Sequence, residues 1–353
     1  MKPEISVIMS VYNGETYLAE AVESVINQTF ANFELVVIND CSNDSTGDIL
    51  AELSAKDSRI KVHTNEVNLR LPASLNKAIS LCRGKYIARM DADDICLPDR
   101  LAKQYKFMEE NPDVALSSCR FMTMKNGVYA SGGAGGRCDS DALRAMLLVA
   151  NPILHPGVIA KAEVMKQMRY DESLTCTEDL ELWTRMAMAG LKMQLLPECL
   201  MLYRLHDKQI TSTTLKRQHT EVLKIQDKYY QSLLEKMDDS MKDFYISGIY
   251  FREQPNIVKF LDYVKWLRRA ANREFDKTSV NYALLEILAE YKRCGISKLE
   301  VARATLCFNP FFLLGEMIRR KHTAKKDIAN CMTVAAARGL KQTAGTNVYP
   351  IFE

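Results

Sequence analysis

The stretch GKYIARMDADD, residues 84–94, combines the two features that determine the fold and the chemistry of this chain. Its apolar part, residues 85–90, predicts a β-strand that is buried on both faces. The acidic turn Asp91-Ala92-Asp93-Asp94 follows at once, so its carboxylates are expected to face solvent or a ligand. Pro98 then predicts the first turn of a helix, where proline is tolerated. The stretch therefore reads as a strand, an acidic turn and a helix.

The same alternation of strand and helix extends over the first 120 residues. Apolar and β-branched runs predict strands at 5–11, 33–38, 60–63, 85–90 and 114–119. Helical spacing of apolar residues predicts helices between them, at 17–26, 49–53, 75–81 and 98–108. This order predicts an α/β fold, with a mostly parallel sheet and helices on both faces.

Polar clusters follow three of the predicted strands. They are Tyr12-Asn13 after the first strand, Asn39-Asp40 after the second and Asp91–Asp94 after the fourth. In open α/β sheets, ligands bind beyond the carboxyl ends of the strands, near a switch in strand order. We therefore expect these clusters to line one crevice.

In the later part of the chain the predicted secondary structure no longer alternates between strand and helix. Residues 131–136, SGGAGG, predict a loop and not a phosphate-binding loop, because no Gly-Lys-Ser/Thr follows. Residues 191–203 read as two short strands around Pro197. After residue 213 amphipathic helices dominate, at 213–236, 239–252, 256–272, 277–293 and 297–307. This change predicts an α/β domain that carries the binding and catalytic site at 1–210, and a helical C-terminal region for acceptor, membrane or partner contacts at 211–353.

The composition limits the classes of protein. With 47% apolar and 26% charged residues the chain can bury a sizeable core. A net charge of +3 is too small to indicate a nucleic-acid partner. The ten cysteines are scattered, which favours free thiols in a reducing compartment. The N-terminus does not resemble a signal peptide and no run reaches about 18 apolar residues, so we expect a cytoplasmic protein.

The acidic turn has two interpretations. Asp91 and Asp93 repel each other unless a cation lies beside them. Mg²⁺ combines one or two carboxylates with substrate phosphates, and a nucleotide-diphosphate leaving group would supply those phosphates. The alternative is a solvated turn in which Asp94 or Asp99 caps the next helix. Taken alone, a D-x-D turn favours this second interpretation.

Other candidates are equally open when taken singly. Asp40 can accept hydrogen bonds from a base or ribose, or can form an Asx-turn. Glu178 and Asp179 begin a predicted helix, where acids are favoured by the dipole, but a fixed carboxylate there can also act as a general base. His206 reads either as a surface histidine or as a metal or phosphate contact. His155, between two prolines, is expected in a loop on the acceptor side.

Five blocks of sequence stand in the order and spacing of one known family. They are residues 6–13 (SVIMSVYN), 38–46 (INDCSNDST), 84–94, 177–183 (TEDLELW) and 203–206 (YRLH). In these blocks the chain resembles family 2 glycosyltransferases of the GT-A fold, over residues 3–212. It is most similar to bacterial enzymes that build lipooligosaccharide, O-antigen or capsule, such as β-1,3-N-acetylglucosaminyl- and galactosyltransferases.

The resemblance assigns roles by position. Asp179 would be the catalytic base and Glu178 its neighbour. Asp91 and Asp93 would hold Mn²⁺ or Mg²⁺, with His206 near the metal and the diphosphate. Asp40 would bind the uracil or ribose, and Ser10 and Tyr12 would wall the base. The full set of side chains expected at the UDP-sugar donor is Ser10, Tyr12, Asp40, Arg70, Arg89 and Asp91. Such enzymes invert the anomeric centre in one displacement, here passing a hexose or N-acetylhexosamine to a glycan acceptor.

Two places depart from the family pattern. The family has Asp-Asp-Gly-Ser after the second strand, where this chain has Asn39-Asp40-Cys41-Ser42. Cys41 in place of glycine predicts a turn that does not need a positive φ angle. Arg70 also stands where the family commonly has glycine, and an arginine there can either reach a phosphate or block the usual approach.

The tail adds one more expectation. Residues 305–318, TLCFNPFFLLGEMI, are apolar, and a basic run follows at 319–326. Such a segment can lie on an anionic membrane surface, which would suit a lipid-linked acceptor and peripheral contact with the cytoplasmic face. The alternative is a helix packed on the catalytic domain. Two other functions stay open: a sugar-nucleotidyltransferase, which would want a Gly-rich, Arg-containing loop after the first strand, and a non-catalytic scaffold of a glycan assembly complex.

Overall fold

The computed structural model of the chain describes residues 2–125, 128–132, 139–206, 215–233, 257–293 and scattered positions between 312 and 327. In chain order the strands are β1 Ile5–Val11, β2 Phe33–Asn39, β3 Ile60–Thr64, β4 Tyr86–Asp91, β5 Ile95–Cys96, β6 Val114–Lys125, β7 Val128–Gly132, β8 Ile159–Lys161 and β9 Lys192–Arg204. The α-helices are α1 Leu18–Ile26, α2 Thr46–Lys56, α3 Arg70–Leu81, α4 Arg100–Glu110, α5 Ser140–Met146, α6 Ala162–Met168, α7 Glu178–Met188, α8 Leu215–Leu233, α9 Ile257–Glu274 and α10 Lys277–Arg293.

The first four strands form the predicted parallel sheet, in the order β3-β2-β1-β4. β1 and β2 are buried along nearly their whole length because helices cover both faces, which explains their continuous apolar sequences. The chain leaves β1 toward β2 on one side and returns to β4 on the other. The predicted switch in strand order therefore lies at the carboxyl end of β1.

Beyond β4 the sheet is mixed, continuing β8-β6-β9-β5 with β7 paired to β6. β8 runs antiparallel to both β4 and β6, while β6 and β9 are parallel. The prediction of a mostly parallel sheet thus holds for the first half only. The added antiparallel strands come from the middle of the chain, where the sequence shows no clear strand–helix alternation.

Residues 192–204 form one strand, and the expectation of two short strands around Pro197 is wrong. Leu196 pairs with Cys119 and Cys199 with Arg120, so Pro197 and Glu198 bulge out of the pairing. Both bulged residues are exposed. A proline is tolerated in a strand at such a bulge because no ladder hydrogen bond is lost there.

Two helix starts also differ from the prediction. α3 begins at Arg70 rather than near residue 75, because Pro72 is accommodated in its first turn. α4 begins at Arg100, two residues after Pro98. Of the predicted loop at 131–136, Ser131 and Gly132 belong to β7 and the other residues lie outside the described part of the chain.

The C-terminal helices pack onto the α/β part through a common core. One cluster of buried apolar residues includes Ile8 and Ile87 of the sheet, Trp183 of α7, and Tyr229 and Leu284 of the helical region. The predicted helices at 239–252 and 297–307 lie outside the described residues. No described helix combines the length and apolar character that spanning a bilayer requires.

Candidate active site

The carboxyl ends of β1, β2 and β4 meet as the sequence predicts. Ser10 of β1 lies beside Ile38 on one side and Asp91 on the other, and Val11 pairs with Asn39. Tyr12 follows β1 and is 52% exposed, which is unusual for a large aromatic side chain. The predicted polar clusters therefore line one crevice.

The Asp40 carboxylate is engaged within the chain. Its Oδ1 accepts hydrogen bonds from Asn65 Nδ2 and the Leu69 amide, both at 2.8 Å. Its Oδ2 accepts from the Arg70 amide at 2.9 Å. The side chain is buried, so Asp40 holds the segment from Asn65 to Arg70 against the end of β2. Its predicted contact with a uracil or ribose stays a prediction.

Both positions where the family has glycine keep a left-handed backbone. Cys41 has φ 61° and Arg70 has φ 69°. The expectation that Cys41 signals a turn without a positive φ is wrong. This conformation costs a non-glycine residue about 1–2 kcal/mol, and here hydrogen bonds donated by the Arg70 amide to Asp40 Oδ2 and Asn68 Oδ1 hold the second turn.

The acidic turn after β4 brings three carboxylates together. Oxygens of Asp91, Asp93 and Asp94 all lie within 4.8 Å of one another. Asp94 is the member that the sequence interpretation did not consider as a candidate ligand. It does not cap α4: its Oδ1 accepts from the Arg204 amide at 2.9 Å, and Oδ2 has no partner among the described residues. Asp99, at the N-cap position, makes no side-chain capping bond either.

Arg89 and Asp91 form a two-pronged ion pair inside the crevice. The Arg89 Nη1 donates to Asp91 Oδ2 at 2.5 Å and Nη2 contacts Oδ1. Arg89 is buried, so this pairing neutralises a guanidinium that water cannot reach. Burial nevertheless raises the pKa of Asp91 to about 6, against the lowering effect of Arg89 and with a further rise from Asp93. Burial also raises the pKa of Asp94 well above its ordinary value.

The end of β9 closes one side of the acidic turn. His206 Nε2 lies 2.9 Å from Asp93 Oδ2, and its ring lies 5.1 Å from that of Tyr17. Arg204 donates from Nε to the Asp93 carbonyl at 2.8 Å, contacts Glu20 and stacks on Tyr17. The structure thus brings His206 to the acidic turn, whereas Arg204, although it stands in the block at 203–206, was given no role from the sequence.

Asp179 is held from two directions at the start of α7. Its Oδ2 accepts from Asn151 Nδ2 and its Oδ1 from the Leu180 amide, both at 2.7 Å. Burial raises the pKa of Asp179, while these two hydrogen bonds lower it. Asn151 was not anticipated as a partner, because the prolines around it predict only irregular structure.

Glu178 points away from solvent into a polar pocket. Its Oε1 lies 3.8 Å from His155 Nδ1, and Oε2 has no partner among the described residues. Burial, and then the charge of Asp179, raises the pKa of Glu178 to about 7. His155 is buried and its Nε2 lies 2.7 Å from the Tyr170 hydroxyl. His155 lies in a short 3₁₀ turn, His155–Gly157, and its expected place on the acceptor side stays a prediction.

The donor set after β4 fits a hard divalent cation. Its atoms are the carboxylate oxygens of the three acids, with the imidazole nitrogen of His206 beside Asp93. Mg²⁺ and Mn²⁺ prefer such ligands. The Asp94 oxygen that lacks a partner is a buried acceptor without a donor, which a cation would satisfy. The charge of Asp93 raises the pKa of Asp91, and the charges of Asp91 and Asp93 raise that of Asp94; a bound cation would offset this repulsion.

Comparison with known proteins gives the family. Residues 6–153 match the model of glycosyl transferase family 2. The O-antigen biosynthesis glycosyltransferase WbnJ of Escherichia coli is 32% identical to this chain over 217 residues, which cover 60% of this chain and 83% of WbnJ. The chain belongs to glycosyl transferase family 2.

Solved structures show the same fold. S. aureus TarS 1-349 in complex with UDP-GlcNAc has a TM-score of 0.56 at 17% identity, covering 96% of this chain and 93% of TarS 1-349. Mannosyltransferase PcManGT from Pyrobaculum calidifontis, in complex with GDP-Man and Mn²⁺, has a TM-score of 0.54 at 15% identity, covering 90% and 87%. The GT-A fold expected from the sequence is confirmed.

Proposed function

We propose that this glycosyltransferase is metal-dependent and inverting, and that it moves a hexose or N-acetylhexosamine from a UDP-sugar to a glycan acceptor in the synthesis of a cell-surface polysaccharide or lipopolysaccharide. The observation that carries the proposal is the arrangement of two acidic groups around Arg89. Asp91 belongs to the cluster of three acids after β4, Asp179 is held separately by Asn151, and each acid interacts electrostatically with Arg89.

Asp179 is the better candidate for the base of the two neighbouring acids. It is partly exposed at the crevice, whereas Glu178 is buried against His155. Its carboxylate is oriented by two hydrogen bonds, and its raised pKa makes it a stronger proton acceptor than a free aspartate. Glu178 would then be the neighbour of the base rather than take the proton itself.

The proposed reaction is a single displacement. The acceptor oxygen forms a bond to the anomeric carbon while the bond from that carbon to the diphosphate oxygen breaks. The acceptor proton goes to Asp179, and the bonding electron pair leaves with UDP. Asp91, Asp93 and Asp94, with His206 beside Asp93, would hold a divalent cation, which would supply the charge that neutralises the diphosphate. Inversion follows because only one displacement occurs.

The donor side rests on residues around the end of β1 and β2. Exposed Tyr12, with Ser10, would wall the base, and Arg70 would reach the diphosphate. Asp40 supports this side indirectly, since it holds the amide of Arg70. A UDP donor is favoured by the relatives: TarS was solved with UDP-GlcNAc, and WbnJ is named for O-antigen synthesis. The GDP-Man complex makes GDP-sugars the necessary comparison.

A donor-binding screen tests the proposal. Thermal unfolding is measured with UDP-, GDP- and dTDP-sugars, with and without Mn²⁺, in wild type, Asp93→Ala and the matched control Asp99→Ala, whose exposed acid lies at the N-cap of α4. We expect one UDP-sugar to raise Tm only with Mn²⁺, since ligand at about 100 times Kd stabilises by about 2.7 kcal/mol. The shift should vanish in Asp93→Ala and persist in Asp99→Ala. An equal shift in both variants, or none in any, would contradict the metal-dependent donor site and favour the scaffold alternative.

A further inference from the structure

A carboxylate from the helical region holds the turn that precedes Asp179. Thr177 Oγ1 donates to Glu221 Oε2 at 2.8 Å, and Thr175 Oγ1 donates to Oε1 at 3.3 Å. The Cys176 thiol lies 3.7 Å from Oε2. Glu221 belongs to α8, outside the stretch that matches the family model. One side chain of α8 therefore contacts three consecutive residues of this turn.

The contact changes how α7 is capped. Thr177 occupies the N-cap position, where a threonine oxygen ordinarily accepts a hydrogen bond from an early helix amide. Thr177 makes no such bond, and its hydroxyl is directed to Glu221 instead. The Leu180 amide is bound by Asp179 Oδ1. The direction of the Asp179 carboxylate therefore depends on where the first turn of α7 lies, and Glu221 fixes the residue at its start.

The same helix also supports the segment that carries Asn151. Gln226 Nε2 donates to the Leu147 carbonyl at 3.0 Å, and Tyr230 donates to the Leu148 carbonyl at 2.6 Å. These carbonyls belong to the chain that leads from α5 to Asn151, the second partner of Asp179. α8 thus contacts both segments that orient the Asp179 side chain.

We infer that Glu221 is a positioning residue for the catalytic base: it holds the Thr175–Thr177 turn so that Asp179 faces the attacking hydroxyl. The inference rests on the proposed function, because it requires Asp179 to be the base. It extends the active-site machinery to a side chain of the C-terminal region that touches neither the donor nor the metal cluster.

Kinetics of Mn²⁺-dependent hydrolysis test the role, with water as acceptor and UDP-GlcNAc, UDP-galactose and UDP-glucose as probes. We expect Glu221→Ala to lower kcat by about 10- to 100-fold with unchanged KM, because a misplaced base slows the chemical step. Glu221→Gln keeps an accepting oxygen for Thr177 and should recover most of the rate. Lys224→Ala, an exposed neighbour on α8, is the control and should resemble wild type.

A double-mutant comparison separates positioning from general damage. In the Asp179→Asn background, Glu221→Ala should cause no further loss of kcat, since the group that Glu221 positions is already gone. A full additional loss would overturn the inference. Wild-type activity in Asp179→Asn alone would instead contradict the proposed base, and so the two failures are distinguishable.

Amide hydrogen exchange gives a readout that needs no turnover. The amides of residues 175–180 should exchange at least about tenfold faster in Glu221→Ala than in Lys224→Ala, since the turn loses its anchor. Unchanged protection of this segment would overturn the inference even if the chain is active. Faster exchange in a chain that hydrolyses none of the three donors would contradict the proposed function and leave the contact supported.

Discussion

Glu178 is a buried carboxyl group that forms no ion pair with a described lysine or arginine, and the charge of Arg89 only partly offsets its burial. His155, its nearest basic neighbour, has its pKa lowered well below the usual value by burial and then by Arg89, so it stays neutral. Burial and the charge of Asp179 raise the pKa of Glu178 from 4.5 to about 7. The native state therefore binds the Glu178 proton more tightly than the unfolded chain does.

Stability should consequently fall as pH rises from about 4.5 to about 7 and then level off, because the folded state loses its preference for the protonated group across that interval. In the Glu178→Gln variant the side chain stays neutral at every pH in this interval. We expect the substitution to stabilise the chain more at pH 8 than at pH 5, by on the order of 3 kcal/mol. Urea unfolding with EDTA measures the difference, with Glu52→Gln, an exposed site, as control. An identical effect at both pH values would refute the assignment.

At this scale the sequence predicted the acids but not their partners. Asp91, Asp93, Asp179 and His206 were proposed because they stand in short motifs at element ends. Asn151, Arg204 and, as a third candidate ligand, Asp94 could not be proposed, because each acts through a contact between distant segments. The positive φ of Cys41 was missed for another reason: a non-glycine residue there hides the backbone requirement that glycine would have revealed.

At the level of elements, tyrosine side chains of α8 donate hydrogen bonds to backbone carbonyls at the C-terminal end of α5 and just beyond it. The last carbonyls of a helix lack intrahelical partners. Tyr229 donates to the Arg144 carbonyl at 2.9 Å and Tyr230 to the Leu148 carbonyl at 2.6 Å. The Tyr230 hydroxyl also lies 2.8 Å from that of Tyr263 on α9. These contacts tie three helices together at one buried point.

Tyr230→Phe should therefore destabilise the chain by about 1–2 kcal/mol, since it removes the buried hydroxyl and leaves the Leu148 carbonyl without that donor. Urea unfolding gives the change in free energy of unfolding. Tyr12→Phe is the matched control, because the ring of Tyr12 is half exposed at the crevice. A Tyr230→Phe variant as stable as the control would mean that this hydroxyl does not anchor α8.

Element prediction succeeded where the signal is local. The buried runs of β1 and β2 and the amphipathic spacing of α8, α9 and α10 identify these elements without their partners. The pairing of β6 with β9 was not predictable in this way, because it joins segments far apart in the chain. Pro197 made β9 look like two strands, since a proline within a strand sequence ordinarily ends it.

At the scale of the whole molecule, the tail is tied to the sheet by a buried ion pair. Arg120 of β6 lies 2.7 Å from Asp327, and their side chains are only 4% and 6% exposed. Arg319 and Arg320 pair with Glu316, and Arg320 also with Glu286. Part of the basic run is thus neutralised within the chain, and peripheral membrane contact stays a prediction. So does the division at residue 210, across which the apolar core is continuous.

Breaking the Arg120–Asp327 pair on one side should be more harmful than removing both charges. Arg120→Met leaves Asp327 buried and unpaired, and should cost about 3–5 kcal/mol. The double variant Arg120→Met/Asp327→Leu should recover most of that loss, because an apolar pair of similar size needs no desolvation. Thermal and urea unfolding of the single and double variants measure both effects. Equal stability of the Arg120→Met variant and wild type would show that the pair does not hold the tail.

The central claim is that Asp179 takes the proton while the acidic cluster holds the donor, and one variant tests it most directly. Asp179→Asn keeps the size of the side chain but removes its basicity. Using the donor identified by thermal shift, we expect Mn²⁺-dependent hydrolysis to fall by at least about 1,000-fold, with donor affinity by calorimetry unchanged. Turnover near the wild-type rate, or a loss of donor affinity as large as the loss of rate, would contradict the account.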